Sequence, residues 1–290
     1  MSIKRVLVPV TGDSLDGDVL EAALKVATKF GAHVEALFFQ TDPGEYLRLM
    51  AVEKSYNFPP GFRSQLIERL EEQQRSVRRR FEDLAKGAGV ALAEDPPDSS
   101  KPTASWRAIT GTDYRAIPKY GWFFDLMVVG YSGYSRRESR TPSEETGTII
   151  FTGAVPVLIV PSRPTQTIGR SIMIGWNRSG QAENAIRRAM PFLNLADEVT
   201  LLSIATGAKP GPSLREAGRY LEWHAIGARQ VEVLPDGRPD GEILLAKAQE
   251  LGADLLVMGA YSHTRLRERI LGGVTKYVLE HAEIPVLAFH

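Results

Sequence analysis

Short apolar runs recur in this chain as pairs. VLVPVTGD from Val6 is matched by IMIGWNRS from Ile172, and DLMVVGYSGYS from Asp125 by DLLVMGAYSHT from Asp254. AVPVLIVP from Ala154 is matched in the same way by EIPVLAFH from Glu283. Placing Pro156 on Pro285 also places Asp125 on Asp254 and Gly130 on Gly259, without a gap. The pattern reads as a tandem duplication. The polar, proline-containing stretch Ser162-Arg163-Pro164-Thr165-Gln166 marks the boundary. It divides the chain into residues 1–161 and 168–290.

Within each half the period alternates between strand and helix. After the first run, Val19, Ala22, Ala23, Val26 and Phe30 fall on one helical face, with Gly31 as C-cap. HVEALFF then reads as a strand. In the second half QAENAIRRAMPFL is the corresponding helix and EVTLLSIA the corresponding strand. GEILLAKAQELGA predicts a helix ending near Gly252, followed by the strand DLLVMG and, after a loop, the helix VTKYVLEHA. Strands alternating with helices predict a mainly parallel sheet of about five strands per half, with helices on both faces. The closing strands, around Pro156–Val160 and Pro285–Phe289, are apolar enough to need cover at the junction of the halves.

The first half is longer, with an insertion near residues 41–100. FRSQLIERLEEQQRSVRRRFEDLAKGAG carries Ile67, Leu70, Val77, Phe81 and Leu84 at helical spacing, predicting a helix over about 62–86 packed on its own sheet or on a second chain. The preceding stretch with Pro59-Pro60-Gly61 reads as a loop. Arg78-Arg79-Arg80 invites a nucleic-acid reading, but Glu71, Glu72, Glu82 and Asp83 beside it make a solvated, mixed-charge face the expectation.

Composition narrows the classes. The 290 residues are 43% hydrophobic and 24% charged, an ordinary globular balance. Lys plus Arg equal Asp plus Glu at 35 each, so no global field draws the chain to nucleic acid or anionic membrane. The absence of cysteine excludes disulfides and thiolate metal sites. No apolar run reaches membrane-spanning length, and the N-terminus enters a strand-like run without a signal-peptide pattern. A cytoplasmic protein is the expectation.

In such a sheet ligands bind beyond the carboxyl ends of the strands. Two turns of the second half arrive there: Trp176-Asn177-Arg178-Ser179, and the long loop from Gly259 through Ser262 to Gly272-Gly273, which opens a helix. Backbone N–H groups at a helix start favour anions, and glycine permits close approach. Trp176 either stacks on a base or closes the core. Arg265, Arg267 and Arg269 lie in the loop, where solvation competes with phosphate contact. His263 has no evident nucleophile or orienting carboxylate, and His33, His224, His281 and His290 show no metal spacing. There is no GxxxxGK[ST], no GxGxxG after the first strand and no GxSxG.

The spacing from Gly259 to position 262 to Gly272 resembles the nucleotide-binding motif of the universal stress protein family: Gly, two residues, Gly, nine residues, then Gly and Ser or Thr. The resemblance covers nearly the whole chain as two copies. It implies two tandem Rossmann-like (adenine nucleotide alpha hydrolase-like) α/β domains, 1–161 with a degenerate site and helical insertion, and 168–290 with a near-complete motif. Some members bind ATP and others do not, and an adenine nucleotide, ATP, if bound, is expected in the second half. Base and ribose would lie near Trp176, Asn177 and Ile204, and phosphates on the N–H groups of Gly272, Gly273 and Val274. The Thr275 hydroxyl would be within reach, and Met258, Gly259 and Ser262 complete the set. Ser262 and Gly273 depart from the motif, and Asn177 replaces the usual acidic residue. The first half departs further: Ser143 and Glu144 take the place of the glycine pair, Pro142 stiffens the loop, and Thr11 follows the first strand. Members pair through their last strands, so the first half is expected to pack against the second, and a homodimer is a separate expectation. The functions left open are a nucleotide-binding regulator of the stress response, a scaffold with decayed sites, and a slow ATP hydrolase. The nucleotide-binding regulator is the favoured reading, and no catalytic or metal-binding residue is assigned.

Overall fold

The computed structural model describes residues 2–10, 12, 16–40, 42–44, 47–48, 59–94, 101–110, 117–130, 155–161, 165–205, 210–260 and 273–289. The first half contributes β1 (Arg5–Val10), α1 (Asp16–Phe30), β2 (His33–Gln40), α2 (Phe62–Gly87) and β3 (Ala91–Leu92). It continues with β4 (Thr103–Thr110), α3 (Ile117–Tyr120), β5 (Leu126–Gly130) and β6 (Val157–Val160). The second half contributes β7 (Ser171–Gly175), α4 (Gly180–Leu193), β8 (Glu198–Ile204), α5 (Leu214–Trp223) and β9 (Arg229–Val233). It ends with α6 (Asp240–Glu250), β10 (Leu255–Gly259), α7 (Gly273–His281) and β11 (Val286–Phe289).

Among the described residues eleven strands join one sheet, in the order β3-β4-β2-β1-β5-β6-β11-β10-β7-β8-β9. Neighbours within each half run parallel, as the near-continuous apolar strands require. The halves meet where β6 pairs antiparallel with β11, Leu158 opposite Leu287. The apolar closing strands thus cover one another at the seam. The first half has one strand more than expected. The two-residue β3 adds to the outer side of β4, with Ala91 opposite Thr103.

The duplication is visible in matching hydrogen bonds. The Asp125 carboxylate accepts from the Lys4 and Arg5 amides at 2.8 and 3.0 Å, securing the start of β1. The Asp254 carboxylate accepts from the Arg170 and Ser171 amides, each at 2.9 Å, securing the start of β7.

Local signals explain the helices. Asp16 and Asp18 lie in the first turn of α1 and Lys29 in its last, complementing the helix dipole. Gly31 follows in the left-handed region at φ 59°, which closes the helix as Ala32 N–H reaches the Ala27 carbonyl at 3.0 Å. One apolar cluster lies between the sheet and α1, α2, α4 and α5. A second lies beneath α3, α6 and α7 on the other face. The predicted stripe on α2 divides. Phe81 is fully buried and Val77 and Leu84 pack on the core, whereas Ile67 and Leu70 are half-buried. Two arginines of the run are paired on the surface, Arg78 with Glu82 and Arg79 with Glu72, as is Arg75 before it with Glu71 and Glu72. Among the described residues, no helix is long and apolar enough to cross a membrane.

Candidate nucleotide site

β7 ends at Gly175, and the chain turns through Trp176–Ser179 into α4. Asn177 Oδ1 accepts from the Ser179 amide at 3.2 Å and from its hydroxyl at 2.6 Å. The Ser179 hydroxyl in turn caps α4, accepting from Ala182 N–H at 3.2 Å. Asn177 is exposed, and the two N–H donors of its amide take no part in this turn.

Trp176 is 4% exposed and belongs to the core under α4 and α5. Its indole N–H donates to the Pro212 carbonyl at 3.2 Å. Of the two readings open for this residue, core closure is the one its placement fits. The adjoining Gly211 has φ 121°, and a Cβ there would stand 2.5 Å from the Arg178 carbonyl oxygen. The 211–212 segment is therefore a strap across the β7–α4 turn. Ser213 follows with a reciprocal capping box to Glu216 at the start of α5. The Ser213 backbone N–H, and secondarily its hydroxyl, hold the Glu216 carboxyl below the usual glutamate range. The strap escaped sequence reading, although Gly-Pro followed by Ser-x-x-Glu carries its signature.

Ile204, at the end of β8, is half-buried, and Met258, near the end of β10, is buried. Gly259 has a structural reason to be glycine. A Cβ would fall 2.5 Å from Ala182 N and from the Gln181 carbonyl carbon, so the first turn of α4 already fills the approach that sequence spacing left for a ligand. Gly273 differs: a Cβ there would meet nothing within 4 Å. It opens α7 in an exposed position, followed by half-buried Val274 and buried Thr275. Ser262, His263, Arg265, Arg267, Arg269 and Gly272 lie outside the described residues, as do Thr11, Gly133, Pro142, Ser143 and Glu144 of the first half. Among the described residues no cluster of metal-ligating side chains occurs.

The corresponding turn of the first half is closed differently. Gly12 takes φ 87°, and its amide donates to Asp16 Oδ2 at 2.6 Å. A Cβ at Gly12 would overlap the Gln73 amide, and one at Gly17 the Arg80 guanidinium. Both side chains come from α2. Phe81 anchors that helix against Trp106, with ring centroids 5.7 Å apart, and Trp106 stacks on Phe38 at 5.6 Å.

A mainly parallel sheet, helices on both faces and two strand sets related by the same pattern define a tandem Rossmann-like α/β protein. Residues 169–290 match the model of the universal stress protein family. A universal stress protein of Synechocystis is 28% identical over 173 residues, covering 57% of this chain. One from Methanocaldococcus jannaschii is 33% identical over 66 residues, covering 23% of it. The chain spans 58% and 40% of the lengths of those two relatives. Among solved structures, a universal stress protein from Archaeoglobus fulgidus superposes with a TM-score of 0.70 at 16% identity, covering 98% of this chain and 97% of that one. A putative universal stress protein from Pseudomonas aeruginosa gives 0.55 at 19% identity, covering 99% and 93%. Residues 169–290 are thus similar to the universal stress protein family, and the chain as a whole shares the fold of those two solved structures.

Proposed function

We propose that this chain is an adenine-nucleotide-binding regulatory protein of the stress response, composed of an N-terminal domain, residues 1–161, and a C-terminal domain, residues 168–290. ATP binds the C-terminal domain alone, and its occupancy alters association with partners, including a second copy of the chain in the cytoplasm. The observation that carries this reading is the start of α7, where among the described residues nothing lies within 4 Å of a Cβ placed at Gly273, and Thr275 follows two residues on. Backbone N–H groups there, with those of Gly272 and Val274, receive the phosphates. Ile204, Met258 and the Asn177 amide border the base and ribose. Trp176 supports that wall from beneath, since its burial leaves no free ring face for stacking. Gly259 and Ser262 shape the loop between.

A scaffold reading has one observation in its favour: the Asn177 oxygen and the Trp176 N–H are already bonded within the protein. Calorimetric titration of ATP into wild type, Gly272→Asp and Glu144→Gly separates the two. Wild type is expected to bind one nucleotide per chain. Gly272→Asp loses binding, because a carboxylate a few ångströms from the phosphates opposes them by about 1–4 kcal/mol, depending on the local dielectric. Glu144→Gly alone gains no second site, since Thr11, Pro142 and Ser143 remain. Binding unchanged in Gly272→Asp removes the proposed site, and silence from all three leaves the scaffold. Following phosphate release in the same samples tests the hydrolase reading.

A further inference from the structure

A cavity of about 360 Å³ lies where α1 meets the connection between the halves. Lys25 and Lys29 of α1, the connecting residues 166–168, and Arg170 with Asp197 of the second half line it. It lies apart from the ends of β7 and β10 and from the start of α7. We propose that this cavity binds a small multivalent oxyanion, a phosphate or polycarboxylate group.

The argument is an inventory of donors and acceptors. Lys25 Nζ reaches Glu21 Oε1 at 2.7 Å and the Thr165 carbonyl at 2.5 Å. Lys29 Nζ reaches the Ile168 and Gly169 carbonyls at 3.1 and 2.5 Å. An ammonium has three donors and a guanidinium five, so each lysine keeps one beyond these bonds. Arg170 engages Asp197 through Nε alone, at 2.7 Å, and keeps the four N–H groups of its two terminal nitrogens. The carboxylates around it are each engaged: Glu21 with Lys25, Asp197 with Arg170, and Asp254 with the Arg170 and Ser171 amides. Asp197 is the one carboxylate in the lining. A donor-rich, acceptor-poor space complements a group that only accepts, and the volume lies at the small end for ligand pockets.

Lys29 adds a second reason. Burial pushes its ammonium down from the ordinary lysine range, and Asp254 and then Asp197 pull it back from a distance. A bound anion supplies the counter-charge that the connecting carbonyls cannot. The anion would touch α1 on one side and the lead into β7 on the other. It would tie the halves together beside Gly169, whose φ is 72° and where a Cβ would stand 3.1 Å from the Phe192 ring.

Isothermal titration of inorganic phosphate, and separately of citrate, into the full-length protein tests the proposal. Wild type is expected to bind at least one of the two saturably. Lys29→Gln and Arg170→Gln are each expected to weaken that binding at least tenfold, and Gly272→Asp to leave it unchanged. Arg170 is a surface residue, so Arg170→Gln remains informative if Lys29→Gln fails to fold. Binding of phosphate alone points to a phosphorylated ligand, binding of citrate alone to a polycarboxylate, and binding of both to a site that reads charge rather than shape. The absence of saturable binding by either, equal binding in wild type and Arg170→Gln, or loss in Gly272→Asp overturns the proposal.

Discussion

The turns after β1 and β7 occupy corresponding places in the two halves, and they are closed by different materials. Over the first, α2 lays down the Gln73 amide and the Arg80 guanidinium. Over the second, a backbone strap at Gly211–Pro212 lies against Arg178 and receives the Trp176 N–H. Side-chain cover can swing aside at the expense of rotamer freedom. Backbone cover is set by φ at a glycine and by the cap that follows. The difference has a source in helix length. α2 runs from Phe62 to Gly87 and carries polar side chains across the turn, whereas α5 runs only from Leu214 to Trp223 and leaves its leading loop to do the covering.

The largest expected effect tests what holds each cover. Phe81→Ala should cost about 3–5 kcal/mol and Leu221→Ala about 2–5 kcal/mol in urea unfolding, because both side chains are fully buried. A loss below about 1 kcal/mol for Phe81→Ala would mean that α2 is not anchored in the core and that its cover of the first turn is incidental.

Next come the two glycines. Gly211→Ala should destabilise by about 1–3 kcal/mol, since its φ of 121° is strained for any side chain and the obstacle is a backbone oxygen. Gly12→Ala should cost about 1–2 kcal/mol for its left-handed backbone, with the Gln73 overlap added. Combining Gly12→Ala with Gln73→Ser should recover part of that loss in thermal melts. Pairing Gly211→Ala with Arg178→Ala should recover little, because the carbonyl remains. Equal rescue in both pairs would erase the distinction between side-chain and backbone cover.

Ser179→Ala should cost about 1 kcal/mol of stability by removing the α4 cap. It also removes the hydroxyl donor from Asn177 Oδ1 and leaves the Ser179 amide, so a parallel ATP titration reports whether that oxygen can serve a ligand. The smallest effect concerns acid. The Glu216 carboxyl sits below its usual range, so its contribution is complete above the unfolded-state value and disappears as pH falls through the folded value. The stability difference between wild type and Glu216→Gln, followed by circular dichroism, should therefore shrink as pH drops below about 4. A difference independent of pH would show that the charge on the capping box is irrelevant to the strap.

Much of the architecture was legible because it rests on repeated apolar strands. The Asp125–Asp254 and Gly130–Gly259 spacing placed corresponding strands correctly, and the apolar closing runs foretold the seam between β6 and β11. Elements with mixed surfaces were not named in advance. β4 and β9 carry exposed arginines, and α5 is short and polar on its outer side. At the site, residue type misled where two physical causes give the same letter. Gly259 reads as room for a ligand, and the first turn of α4 also needs the room a Cβ would take. Trp176 had two readings, and only its depth separates them. Gly273 reads the same way in sequence and in space, being small and open.

The seam has a consequence for synthesis. Val157–Val160 form β6, and among the described residues their outer edge is covered by Val286–Phe289 of the second half. On the ribosome, the first half can complete β1, β2, β4 and β5 while β6 still presents a bare, wholly apolar edge. At common elongation rates that edge waits on the order of 10 s for its partner. Four consecutive branched aliphatic residues on an open strand edge invite pairing with another nascent chain. The interval between the two closing strands is therefore the period in which this edge is most open to mispairing.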